Sequence, residues 1–156
     1  MRQDRRAFLT QGSRLALLGG MIATGFLNIG RALAADWNSA AFTAKNMADA
    51  MAKSGYAGAA HSNDILLKVP DIAENGAVVP VEVTSHIPGT TSIAIFSQDN
   101  PNPLVAEFQF LPGAMPFVST RIKMAKTSQV QVAVKAGGKV YINAKSVKVT
   151  AGGCGG

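Results

Sequence analysis

The chain contains one cysteine, Cys154, and it lies in the terminal segment Gly152-Gly153-Cys154-Gly155-Gly156. Glycine has no Cβ atom and adopts backbone conformations that other residues avoid, so we do not expect a helix or a strand here. Chain ends are also the least ordered parts of most domains. Because the flanking glycines offer no apolar surface to cover the sulfur, residues 151–156 are predicted to form a flexible arm with an exposed thiol.

The other residues that could carry out chemistry are few. His61 and His86 are the only histidines, and neither belongs to a spacing typical of metal ligands. No Ser/His/Asp grouping, phosphate-binding glycine loop or pair of carboxylates stands out. Cys154 also has no base near it in sequence, and a free thiol is only a few per cent ionised at neutral pH. We therefore predict no catalytic residue, no metal and no cofactor, and a thiol that is activated in the active site of another protein.

The first 34 residues have the features of a twin-arginine export signal. Arg5 and Arg6 are followed by Ala7-Phe8-Leu9, and residues 15–29 are moderately apolar. That stretch is too short and too rich in glycine for a stable membrane span, so no membrane anchor is expected. Ala32-Leu33-Ala34 fits a signal-peptidase site, which predicts cleavage after Ala34 and export to the periplasm.

Charge and cysteine content narrow the function further. The chain has 15 basic and 9 acidic residues, but the leader holds five of the arginines and one aspartate, which leaves 10 and 8, a net charge of +2. This balance gives no reason to expect nucleic-acid binding. A single cysteine in an oxidising compartment is expected to react or to pair with another molecule, since no disulfide can form within the chain. Export of an already folded protein also suggests a partner that is exported with it.

Residues 35–150 are predicted to form one domain. Asn38 and Ser39 are good helix caps, and strong helix formers follow from Ala40 to Lys53. Apolar residues then recur at every second position between turn signals such as Asn75-Gly76. These segments are residues 65–69, 79–83, 93–95, 104–110, 120–124, 130–134 and 139–150. The pattern predicts an all-β fold, an immunoglobulin-like antiparallel β-sandwich of about seven strands with one N-terminal helix.

Two details of the strands are also predicted. In the last strand the apolar positions are even up to Ala144 and odd from Val147 onward, which indicates a bulge or bend near Lys145-Ser146. In the segment 104–110 the alternation places four apolar residues on one face. They are Leu104, Ala106, Phe108 and Phe110.

Several stretches resemble one known family. Besides the terminal glycine-cysteine segment, they are Pro70–Ala77 with Val79-Pro80-Val81, Thr120–Ala125, and Lys145–Thr150. In these residues the mature chain is similar to SoxY, the sulfur carrier of periplasmic thiosulfate oxidation. The resemblance implies that Cys154 is the attachment site for sulfur and that Gly152, Gly153, Gly155 and Gly156 form the carrier arm. It also implies that several enzymes must admit this cysteine into their active-site channels, and bulkier residues beside it would clash with at least one of these channels.

The resemblance also implies partners and bound species. The carrier would form a heterodimer with a SoxZ-like subunit. The c-type cytochrome SoxAX would load thiosulfate onto Cys154 as an S-thiosulfonate, and the manganese hydrolase SoxB would release sulfate and leave a persulfide. The sulfane dehydrogenase SoxCD would oxidise that persulfide to an S-sulfonate. Under this hypothesis the protein is a covalently loaded substrate of its partner enzymes and does not itself catalyse a reaction.

Two alternatives stay open at this point. The chain could be an exported β-sandwich binding or structural module whose cysteine forms an intermolecular disulfide. It could also be a ubiquitin-like carrier that acts through the carboxylate after Gly155-Gly156. Such carriers need ATP for activation, and export by the twin-arginine route would separate this chain from ATP.

Overall fold

The structure, a computed structural model, describes residues 37–151. The predicted leader, with Arg5, Arg6 and the cleavage position Ala34, lies outside the described residues, as do Cys154 and its four neighbouring glycines. The helices are α1 (Ser39–Phe42) and α2 (Met47–Lys53). The strands are β1 (Ala60–His61), β2 (Ile65–Lys68), β3 (Ile72–Ala73), β4 (Val79–Ser85), β5 (Thr90–Ser97), β6 (Leu104–Gln109), β7 (Phe117–Ile122), β8 (Ser128–Ala136) and β9 (Lys139–Val149).

The strands form two sheets. The larger has the order β1-β9-β8-β5-β6, with β3 also paired to β9, and the smaller has the order β2-β4-β7. The long strands pair in antiparallel fashion, so the predicted all-β, immunoglobulin-like sandwich is confirmed. Seven strands match the predicted segments. The other two, β1 and β3, are two residues long and pair in parallel with β9 along its outer edge.

The main core lies between the two sheets. In β4 the valines at 79, 81 and 83 are fully buried, and so are those at 130, 132 and 134 in β8. Successive side chains of a strand point to opposite faces, so this period of two places a row of valines from each sheet against the other. Val118 and Ile122 of β7, and Met124 just after it, complete this core.

The helices cover the other face of the larger sheet. Ala41, Ala50 and Tyr56 are fully buried and pack in one cluster with sheet residues. In β5 these sheet residues, Ala94 and Phe96, alternate with the isoleucines of the main core. Strands in the middle of the larger sheet are therefore apolar on both faces, as expected for a layer that is covered on both sides.

The single helix predicted from Ala40 to Lys53 is wrong in its continuity, because the structure has two short helices. Thr43 ends α1, where its N–H and its hydroxyl both donate to the Ser39 carbonyl. Asn46 then begins α2, since its side-chain oxygen accepts from the N–H of Asp49 at 2.8 Å. Asparagine favours this capping position over a helix interior. One cap inside a helix-forming run is enough to interrupt the helix.

The bulge predicted near Lys145-Ser146 is also wrong. The pairing of β8 with β9 is unbroken from Ser128 opposite Val147 to Ala136 opposite Lys139. The change of apolar phase has a different cause. Val140 and Ile142 pack against the helix-side cluster, whereas Val147 lies in the core between the sheets. The first half of β9 therefore has apolar residues on the face that the helices cover, and the second half has one on the face that lies against the smaller sheet.

Strand β6 contains a bulge where it pairs with β5. Ile95 pairs with Ala106, but Phe96 pairs with Leu104, so Val105 is an extra residue. This bulge turns Leu104 toward the helix-side cluster, whereas Phe108 packs against the main core. The prediction that one face of this segment is continuously apolar therefore fails at Leu104, because an inserted residue reverses the alternation.

Candidate functional site

The C-terminal end of β9 is held by the segment that contains β3. The Asp71 carbonyl accepts from the N–H of Lys148 at 2.9 Å, and the Ala73 carbonyl accepts from that of Thr150 at 3.1 Å. Beyond the strand, the N–H of Gly76 donates to the carbonyl of Ala151 at 2.7 Å. The chain is thus fixed by backbone hydrogen bonds as far as Ala151, the last described residue. We call residues 149–151 the arm root.

A local turn explains why this segment can hold the arm root. The Asn75 side-chain oxygen accepts from the N–H of Ala77 at 2.8 Å, the bond of an Asx turn. Within this turn the N–H of Gly76 is free to donate to the carbonyl of Ala151, and the carbonyl of Gly76 accepts from the N–H of Met124 at 2.7 Å. The turn predicted from Asn75-Gly76 is therefore present, and Gly76 joins the arm root to the segment that follows β7.

Thr127 holds the arm root from the other side. Its hydroxyl oxygen accepts from the N–H of Val149 at 2.9 Å and donates to the carbonyl of Val149 at 3.3 Å. The hydroxyl of Thr150 in turn donates to the carbonyl of Glu74 at 3.0 Å. With both flanks bonded, the arm root is a fixed point from which the terminal residues extend.

Covalent geometry limits the distance between Cys154 and this fixed point. Cys154 follows Ala151 by three residues, and an extended chain advances about 3.3 Å per residue. The Cα atom of Cys154 therefore lies within about 10 Å of that of Ala151. Cys154 itself lies outside the described residues, but this limit would hold any reaction at its thiol close to the arm root.

The surface around the arm root combines lysines with exposed apolar side chains. Lys123, Lys126 and Lys148 are exposed, and none of them forms an ion pair with any residue that the structure describes. Lys145 differs, because its ammonium lies 2.9 Å from the carboxylate of Asp71. Two large apolar side chains also reach solvent here, and their exposed fractions are high: 57% for Ile72 and 51% for Val78.

A cleft at the other end of the sandwich is too far away to serve Cys154. Loops 85–91 and 110–116 line it, and its volume is about 510 Å³. Thr90, in its wall, pairs with Ala136, which pairs with Lys139 at the start of β9. The eleven residues of β9 separate that point from the arm root, a distance of about 30 Å or more for a β-strand.

A buried polar cluster lies between the helices and the larger sheet. The hydroxyl of Tyr56 is 2.8 Å from Ser92 Oγ and donates to Glu107 Oε1 at 2.9 Å. Lys135 Nζ lies 3.6 Å from the same carboxylate oxygen and 4.0 Å from the centre of the tyrosine ring. Burial, with a further effect of the Glu107 charge, raises the pKa of Tyr56 well above its usual value, although the bond to Ser92 opposes the shift.

This cluster could not be predicted from the sequence. Its members come from the turn after α2 and from β5, β6 and β8, up to 79 positions apart, so no local pattern relates them. The ammonium of Lys135 also donates to the carbonyl of Ser54 at 2.7 Å. Every polar group has a partner, and the cluster fastens the helices to the sheet.

The structure does not bring the two histidines together. His61 lies in β1, paired beside Ile142, and its ring is 3.2 Å from the side-chain oxygen of Asn63. His86 lies exposed in the loop after β4, at the edge of the distant cleft. Within residues 37–151 there is no group of three or more His, Cys, Asp or Glu side chains placed to hold a metal ion. None of the helices described there is long and apolar enough to cross a membrane.

Most of the domain is similar to proteins of known family or known structure. The family model described as sulfur oxidation protein SoxY matches residues 50–154. The solved structure of the sulfur carrier protein SoxY from Chlorobium limicola f thiosulfatophilum is 46% identical, with a TM-score of 0.61, and the match covers 73% of this chain and 100% of that one. A superoxide reductase (neelaredoxin) from Ignicoccus hospitalis, 17% identical over 56% of this chain and 80% of its own, has a TM-score of 0.50 and shows a shared fold alone. No curated protein sequence gave a significant match.

Proposed function

Since the chain belongs to the SoxY family of sulfur oxidation proteins, we propose that it is a covalent sulfur carrier and that Cys154 is its attachment site. The observation that supports this most directly is the extent of the family match, which includes Cys154 at its last position. The relative of known structure, 46% identical, is itself named a sulfur carrier protein. Cys154 is the only cysteine of the chain, so a thiol-bound cargo has no other place to attach.

The carrier works in the periplasm under this proposal. Arg5 and Arg6 direct export through the twin-arginine pathway, and cleavage after Ala34 removes the leader. The signal precedes the region that matches the family, which begins at residue 50. Removal of residues 1–34 therefore leaves the β-sandwich and its arm intact.

Loading joins thiosulfate to Cys154. The outer sulfur of thiosulfate forms an S–S bond with Cys154 Sγ, the thiol loses its proton, and two electrons leave. A c-type cytochrome of the SoxAX kind accepts these electrons. The product is a cysteine S-thiosulfonate with one negative charge. Because this chain offers Cys154 no neighbouring base in sequence, the partner enzyme must take the thiol proton.

Release takes place in two stages. A manganese hydrolase of the SoxB kind adds water to the terminal sulfonate, which leaves as sulfate together with one proton, and Cys154 keeps a persulfide. A sulfane dehydrogenase of the SoxCD kind then adds three oxygen atoms from water to the outer sulfur and removes six electrons. Hydrolysis of the resulting S-sulfonate releases a second sulfate and restores the thiol.

The arm and the arm root have different roles in this scheme. Glycines on both sides of Cys154 allow the arm to enter narrow channels without side-chain clashes. The hydrogen bonds that hold Thr150 and Ala151 fix the base of the arm to a rigid sheet. A SoxZ-like subunit, lacking a carrier cysteine of its own, completes the heterodimer. The protein presents the sulfur, and its partners catalyse the reactions.

Reconstituted loading tests the proposal. With thiosulfate and a SoxAX-type cytochrome, the wild-type carrier should reduce the cytochrome by two electrons per thiol, and Cys154→Ser should give no reduction. A double variant, Cys154→Ser with Ser146→Cys, is the matched control, since it moves the thiol to an exposed position of β9. It should also stay unloaded, because the thiol no longer lies on an arm. Loading of Cys154→Ser would disprove the assignment.

The competing hypothesis of a structural module makes a different prediction. A cysteine used only to join two chains would give a covalent dimer on non-reducing electrophoresis, and the dimer would persist whether or not thiosulfate was present. A carrier should instead run as a single chain that gains and loses sulfur.

A further inference from the structure

We propose that Lys123, Lys126 and Lys148 form a cationic collar around the arm root that attracts anionic sulfur compounds to Cys154 and favours their reaction over that of neutral thiol reagents. The inference rests on the proposed function in one respect, that Cys154 is the residue that reacts. It adds that the body of the carrier contributes to substrate choice through its charges.

Backbone contacts place two of these lysines beside the arm root. Lys148 precedes Ala151 by three residues on β9, and its N–H is bonded to Asp71, which fixes its position. Lys126 is next to Thr127, whose hydroxyl holds both backbone groups of Val149. Their backbones therefore flank the point from which the arm starts.

Lys123 reaches the arm root through a different chain of contacts. It precedes Met124, whose N–H donates to the carbonyl of Gly76 at 2.7 Å, and the N–H of Gly76 donates to Ala151 at 2.7 Å. Two hydrogen bonds thus connect its neighbour to the last residue of the root. The backbone of each of the three lysines therefore lies near the arm root, and Cys154 follows Ala151 by only three residues.

The charge balance at this end of the sandwich favours anions. The three collar lysines are exposed and have no ion-pair partner among residues 37–151. Two exposed carboxylates oppose them, Glu74 at the root and Asp99 in the loop before β6. The charges of Lys145 and Asp71 cancel, because the ammonium and the carboxylate form an ion pair at 2.9 Å. Among the residues that the structure describes at this end, the excess is positive, and thiosulfate carries two negative charges.

The expected effect is on the rate of encounter. In water, a divalent anion about 10 Å from a single positive charge is attracted enough to change its local concentration by about twofold at low salt. The effect disappears when the Debye length falls to about 4 Å in concentrated salt. Removal of two collar charges should therefore slow anionic reagents by about three- to fivefold at low ionic strength.

The test compares two disulfide reagents on the thiol of the purified exported protein. 5,5′-Dithiobis(2-nitrobenzoate) is a dianion and 4,4′-dithiodipyridine is neutral, and the ratio of their rate constants cancels any change in the reactivity of the thiol itself. Lys126→Gln with Lys148→Gln should lower the ratio by about three- to fivefold in dilute buffer and leave it unchanged at about 0.5 M salt. Glu74→Gln should raise it.

Lys53→Gln with Lys139→Gln is the matched control, because it removes the same charge from α2 and from the start of β9, far from the arm root. It should leave the ratio unchanged. Equal effects of the two double variants would overturn the collar, since only net charge would then matter, and so would a ratio that none of the variants changes. Either result leaves the carrier role standing, because that role is tested by loading of Cys154 in the cytochrome assay.

Discussion

At the scale of the residue, the proposed chemistry depends on one sulfur atom, Cys154 Sγ. Its neighbours are glycines, and the two histidines of the chain lie elsewhere, one on β1 and one in a distant loop. The chain therefore offers this thiol no base close in sequence, and under the proposed function the partner enzymes supply one.

Tyr56 is a buried residue whose hydroxyl has its hydrogen-bond partners inside the domain. Its side chain is fully buried and its hydroxyl bonds with Ser92 and Glu107. Burial raises its pKa, so the folded protein favours the neutral phenol. In the unfolded chain the pKa returns to about 10. The stability that comes from keeping the phenol neutral is therefore complete below about pH 10 and is lost as the pH rises above that value.

Tyr56→Phe should lower the free energy of unfolding by about 1–2 kcal/mol at pH 7, because Ser92 and Glu107 lose a partner. The variant should also lose less stability than the wild type between pH 9 and pH 11, since the ionisable group is gone. Urea unfolding at several pH values measures both effects. Tyr141→Phe, at the other tyrosine, is the control and should keep the alkaline loss. An unchanged alkaline loss in Tyr56→Phe would contradict the account.

At the scale of the element, β9 is the strand that connects fold and function. It pairs with β8 from Lys139 to Val147, carries both short parallel strands on its outer edge, and ends at the arm root. Its own hydrogen bonds, together with those of Thr127 and Gly76, keep the start of the arm in one place. A fixed root limits the distance from the sheet at which Cys154, three residues further along the chain, can lie.

Thr127→Val should loosen the arm root without unfolding the sandwich. The change removes the hydroxyl that accepts from the N–H of Val149, at a cost of about 1 kcal/mol. Amide hydrogen exchange at Val149 should become about fivefold faster, which corresponds to that loss. Thr91→Val is the control, because it removes a hydroxyl bonded to Lys135 at the other end of the sheet. It should leave Val149 protected, and equal exchange in wild type and Thr127→Val would refute the assigned contact.

The elements also show what sequence can predict. The strands followed from period two because alternation is a local property, and the Asn75-Gly76 turn followed from local turn chemistry. The supposed bulge near Lys145-Ser146 failed because the covered face of β9 changes along its length, a tertiary fact. The bulge in β6 and the Tyr56 cluster were missed for the same reason. Cys154 can be proposed as the site from sequence because its glycine surroundings are contiguous, whereas the hydrogen bonds of the arm root join segments about 20 and 75 residues apart.

At the scale of the whole molecule, the sandwich separates two surfaces. The arm root and its lysines occupy one end, and the cleft between loops 85–91 and 110–116 occupies the other. The length of β9 lies between them. These two surfaces therefore lie at opposite ends of the same small domain.

The most direct test of the central claim is intact-mass spectrometry on protein purified from the periplasm of thiosulfate-grown cells without reductant, before and after reductant is added. A sulfur carrier should show thiosulfonate or extra sulfur atoms on the C-terminal peptide that contains Cys154, and these should be lost on reduction. A bare thiol, or only a disulfide at Cys154, would contradict the carrier function and favour a structural module.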